Sequence, residues 1–144
     1  MHFKKGFSLI EICLVSALFV IILAIGLPFG INSYRNYLMI FETRSVVTIL
    51  RHAQVLAMTN TYESPFGVAF LENQMILFLG NSYDVRNQTF DEIYPRSTAI
   101  GISAPSEIVF QPMSDNPSAS SSIVLGSGSK NVNIDINSHG TIDW

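Results

Sequence analysis

Residues 1–31 read MHFKKGFSLIEICLVSALFVIILAIGLPFGI, and this stretch decides how the rest of the 144-residue chain is organised. Lys4 and Lys5 precede Gly6, and Glu11 is the only further charge before Arg35. The uncharged run over residues 12–34 is long enough to cross the ~30 Å hydrocarbon layer of a membrane as a helix. The two lysines predict that the short arm in front of it stays cytoplasmic. A secretory signal peptide shares the basic start, but its apolar region closes after ~7–15 residues at a small-residue cleavage site. Here the run is longer, and Pro28-Phe29-Gly30 makes a poor version of that site. Glu11 is the anomaly, because an acid in an apolar span costs free energy and usually serves a function.

Length and composition bound the rest. The length allows one domain beyond the N-terminal helix. The mean hydropathy of +0.33 owes much to the first thirty residues, and the C-terminal part reads as a water-soluble head. Cys13 is the sole cysteine, so an intrachain disulfide is impossible and the head must rely on its core. From Thr61 onward three basic residues, Arg86, Arg96 and Lys130, face nine acidic ones. Nucleic acid is bound through clustered Lys and Arg, so this acidic head speaks against it.

Pro28 removes a helix hydrogen bond, and Gly26 and Gly30 weaken the same turn, which predicts a kink or meltable stretch rather than an end. Residues 32–59 contain no Pro or Gly. Val46, Ile49, Leu50, Ala53, Leu56 and Ala57 recur at three- and four-residue steps, the mark of an amphipathic face, and Asn60 is a natural stop. Counted from Phe7, the helix has about 54 residues and a length of ~80 Å.

Beyond it, residues 66–71 and 74–79 are β-rich runs around Glu72-Asn73, a hairpin candidate. Residues 80–96 read as polar and irregular, whereas 98–103 and 107–111 are strand candidates. Pro117 and five serines make 112–122 an exposed loop; 123–125 is short and apolar, and 126–130 is a turn. Val132, Ile134 and Ile136 alternate with polar residues, so this strand buries one face; Ser138-His139-Gly140 turns the chain into a partner strand over 141–144. The expected fold is α+β, a long N-terminal helix packed against a mainly antiparallel sheet.

Gly6-Phe7-Ser8-Leu9-Ile10-Glu11 after a short basic leader resembles the processing motif of type IV prepilins and type II secretion pseudopilins. The order of elements resembles the GspH/FimT-type minor pilins, in which a β-rich head closes with a glycine-containing strand–turn–strand. The resemblance implies a type IV pilin-like fold and a division into leader (1–6), membrane or filament-core helix (7–31), amphipathic helix (32–60) and periplasmic head (61–144). It implies cleavage between Gly6 and Phe7 and methylation of the Phe7 amine by a prepilin peptidase. It also implies that Glu11 sets register in assembly and that Pro28 kinks the helix. The implied partners are other pilin or pseudopilin subunits and an inner-membrane assembly platform, with the leader cytoplasmic. The missing disulfide departs from many pilins.

No residues favour an enzyme. His2, His52 and His139 have no metal-ligand spacing, no serine sits in a nucleophile elbow, and Asp115, Asp135 and Asp143 match no cation loop. Neither catalytic residues, metal nor cofactor are expected. The expected function is structural, a subunit of a pilus or secretion pseudopilus. The alternative is a membrane-anchored periplasmic binding module whose acidic head recognises a partner or secreted substrate, and such an anchor keeps its leader.

Overall fold

A computed structural model of the chain describes residues 6–118, 120–128 and 130–144, and of residues 27–30 the backbone alone. Lys4 and Lys5 and the ring of Pro28 therefore lie outside the described residues. The chain forms two compact units, Met1–Asn36 and Tyr37–Trp144.

In the first unit the helix α1 (Leu9–Met58) begins. Its side chains from Leu9 to Gly26 are exposed all round, and by length and composition α1 is apolar enough to cross a membrane. Helix continues through residues 27–30, so Pro28 does not end the element.

In the second unit α1 becomes one-sided. Val46, Ile49, Leu50, Ala53 and Ala57 are buried as their spacing requires, and Met39 and Val47 extend the stripe. The helix ends at Met58, two residues before the expected stop. Asn60 then takes a left-handed backbone with φ 51°, a conformation that asparagine tolerates just past a helix.

Two antiparallel sheets cover the stripe, where the sequence suggested one. The first contains β1 (Phe66–Phe70), β2 (Gln74–Leu79), β3 (Asn87–Pro95) and β5 (Glu107–Phe110), in the order β3-β2-β1-β5. The second contains β4 (Gly101–Ser103), β6 (Ser121–Ser127), β7 (Lys130–Ile136) and β8 (Ile142–Asp143), in the order β4-β6-β7-β8. The expected hairpin is β1–β2, in register from Phe66 opposite Leu79 to Phe70 opposite Met75. The alternation in β7 places Ile134 and Ile136 inside, where they join Ile123, Leu125, Phe110, Leu77 and the helix in one core.

The stretch expected to be irregular contains β3, the longest strand described, and this corrects the sequence reading. β3 is an edge strand exposed on most of its length, so burial leaves no alternation in it to read. The loop before it covers the outer face of the first sheet. There Ala69, Ile76, Phe78 and Val109 form a second small core, with Leu71 and Tyr83 packed on it. Arg86 stacks on the Tyr83 ring 3.7 Å from its centre and pairs with Asp91 at 2.8 Å, both ends mostly shielded from water. The Tyr83 N–H donates to Glu107 Oε2 at 2.6 Å, which fixes the loop to β5. The Phe78 ring lies against Gly67 so closely that a methyl group there would enter it.

Candidate functional site

The motif at the head of α1 is built from the helix start. Ser8 immediately precedes the helix, and its Oγ accepts the Glu11 N–H at 3.3 Å while its carbonyl accepts the same N–H at 3.1 Å. Ser8-Leu9-Ile10-Glu11 thus has the spacing of a capping box, in which a serine caps the third residue of the first turn. The sequence reading overlooked this role, although Ser and Glu three residues apart before an apolar run is its signature. The positive end of the helix dipole also favours a carboxylate in this turn.

Phe7 and Glu11 are one turn apart and share an open groove of about 360 Å³ with Ile12, Val15, Ser16 and Phe19. Phe7 is 79% exposed. Among the described residues nothing stands within 4 Å of the point where a side chain on Gly6 would begin. Pro28 lies nearly five turns beyond Glu11 along α1.

The second unit holds three polar junctions that join the helix to the sheets. Glu42 is buried, and its Oε1 accepts the Ser97 N–H at 2.7 Å, which anchors the turn leading into β4. Gln54 Nε2 donates to the carbonyls of Asp115 at 3.0 Å and Gly140 at 2.9 Å. The Met113 N–H donates to the Ala57 carbonyl at 3.0 Å, occupying an acceptor at the helix end. None of these was singled out from sequence, since a lone Glu or Gln on an amphipathic helix normally faces water.

His52 sits near Glu92 of β3, with Nδ1 3.9 Å from Oε2. The Tyr94 hydroxyl donates to the same Oε2 at 2.6 Å. Burial, then this hydrogen bond and the Glu92 charge, push the Tyr94 hydroxyl up to about 12. His139 takes part in its turn through the backbone: its N–H and that of Thr141 both donate to Asn137 Oδ1, so Asn137 organises the turn. Among the described residues no three His, Cys, Asp or Glu side chains come together as a metal set.

No family model, curated protein or solved structure matches this chain.

Proposed function

We propose that the chain is a minor pilin or pseudopilin, a structural subunit held in the bacterial inner membrane and then incorporated into a filament that it helps to initiate. The observation that carries this reading is Gly6-Phe7-Ser8-Leu9-Ile10-Glu11 standing directly before an apolar helix of membrane-spanning length. On this reading a prepilin peptidase cuts between Gly6 and Phe7 on the cytoplasmic side and methylates the new Phe7 amine. The head lies in the periplasm, and an inner-membrane platform moves the subunit into a type IV pilus or type II secretion pseudopilus. Apolar helices then bundle as the filament core.

The groove that Phe7 and Glu11 share supports the proposal, since cleavage would create a cationic amine at Phe7 within reach of that acid.

N-terminal sequencing of the protein from its native membrane tests it. The expected sequence starts at Phe7 with a methylated amine, and Gly6→Val leaves Met1 in place. An intact leader on the unmodified chain would overturn the subunit reading in favour of an anchored binding module.

A further inference from the structure

The outer face of the second sheet breaks a local rule of strand composition without compensation inside the fold. β7 turns Val132, Ile134 and Ile136 toward the core and turns Asn131, Asn133 and Asp135 outward. Asparagine and aspartate are depleted from strands, because their short polar side chains compete with the ladder for backbone groups. The neighbouring strands continue the pattern. Register places Ser122 of β6 and Asp143 of β8 on either side of Asp135. It also places Val124 beside Asn133 with Ser103 of β4 beyond it, and Gly126 beside Asn131 with Gly101 beyond it. Ser122, Asn131, Asn133, Asp135 and Asp143 are exposed, and among the described residues their side chains make no hydrogen bond or ion pair. Natural sequences break local preference in this way chiefly at functional surfaces.

The chemistry of the face selects its partner. Among its described residues it carries no Lys or Arg, and Asp135 and Asp143 stand directly opposite each other, a like-charge pair. Phosphate backbones and anionic lipid are therefore repelled. Its one apolar side chain is the half-buried Val124, whereas the core of a protein interface is rich in aromatic residues, Met and Arg. What remains is a dense array of amide, hydroxyl and carboxylate groups that donate and accept together. These side chains are short, so ordering them on a ligand costs less rotamer entropy than ordering Lys, Glu or Gln. Such an array matches the neighbouring hydroxyls of a sugar: carboxylates accept the O–H, and each amide pairs with both a donor and an acceptor. Val124 offers an apolar step for the C–H side of the ring. Ser120, Ser121, Ser122, Asp135, Ile136 and Asn137 line an open cleft of about 380 Å³, within the range of small-ligand sites, at one end of the face.

We propose that this face is a binding site for a neutral, hydroxyl-rich glycan, with Asn133 and Asp135 as its central hydrogen-bonding groups. The site goes beyond the subunit reading and does not depend on it, since the face belongs to the second unit whether or not the chain is cleaved at Gly6.

The test offers the full-length chain, purified in a detergent without a sugar headgroup, to an array of immobilised neutral, sulfated and uronic-acid glycans. The expected result is saturable binding to a neutral glycan with a dissociation constant of about 1 mM or below, unchanged by a metal chelator. Asn133→Ala removes one amide and weakens this binding about tenfold. Asp135→Asn keeps the size of the side chain but removes the charge opposite Asp143. It is expected to weaken binding to a similar degree while raising resistance to urea, a combination that a purely structural role for Asp135 would not give. Asn87→Ala, on the other sheet, leaves binding as it was. Absence of binding to every neutral glycan, binding confined to sulfated or acidic glycans, loss of binding in chelator, or undiminished binding by the Asn133 and Asp135 variants would each overturn the site.

Discussion

Glu11 shows how two roles at one residue are told apart by magnitude. As the third residue of the first helical turn it gains from the helix dipole, an effect of about 0.3–1 kcal/mol. An acid at the centre of a membrane helix costs about 2.5–3.5 kcal/mol on insertion scales, and somewhat less near the interface. The dipole therefore offsets a fraction of the cost, and a passive anchor would be more stable with leucine at this position. On the proposed subunit reading, an ion pair with the methylated Phe7 amine of the same or a neighbouring subunit would supply the remainder, because opposite charges attract strongly in a low-dielectric setting. Glu11→Ala is therefore expected to be cleaved normally and to stay in the membrane, yet to fail to enter filaments. Glu11→Gln keeps the size and hydrogen bonding of the side chain but not the charge, and is expected to fail as well. Co-purification of each variant with the other filament subunits measures this. Normal incorporation of the glutamine variant would assign Glu11 to helix capping alone.

Among the elements, the terminal hairpin depends on contacts far from it in sequence. Gly140 has φ +73°, its carbonyl accepts from Gln54 on the helix, and any Cβ on it would strike the Asp115 carbonyl. Gly140→Ala adds a left-handed backbone penalty to that collision and is expected to cost about 2–4 kcal/mol. Gln54→Leu leaves two carbonyls short of a donor and is expected to cost about 1–3 kcal/mol. Urea unfolding of both variants, compared at equal slope, measures these losses. The hairpin itself was legible, because Val132, Ile134 and Ile136 alternate before a Ser-His-Gly turn. Its fastening to Gln54 was not, since the two positions are 86 residues apart. The β1–β2 hairpin was legible as two short apolar, β-forming runs around Glu72-Asn73, both strands being buried on both faces, whereas β3 gave no signal because it is open to water on both faces. The motif at Gly6–Glu11 was legible because it is contiguous, but the outer face of the second sheet was not. In the sequence Asn133 and Asp135 looked like the wet side of a half-buried strand, and only their register with β6 and β8 sets them apart.

For the molecule as a whole, the decisive question is how much of the helix the sheets need. The core of the second unit takes Met39, Val46, Val47, Ile49, Leu50, Ala53 and Ala57 from α1 and joins them to the inner faces of both sheets. Burying the five larger of these side chains contributes roughly 7–15 kcal/mol at about 1.5–3 kcal/mol each. That equals the whole net stability of an ordinary domain, about 5–15 kcal/mol. A chain beginning at Asn32 loses most of the apolar span but none of these side chains, and its unit boundary lies just beyond its new start. It is expected to be soluble and folded, and to unfold in one cooperative transition without metal or reductant dependence. A chain beginning at Thr61 keeps every strand but exposes the inner faces of Phe66, Leu77, Phe110 and Ile134 to water. It also frees the Ser97 N–H held by Glu42 and the Met113 N–H held by the helix end. Light scattering and circular dichroism of the two chains decide the matter, with aggregation expected for the shorter one. Cooperative folding of that shorter chain would mean that the sheets close on each other, and that the buried stripe of α1 contributes far less than its area implies.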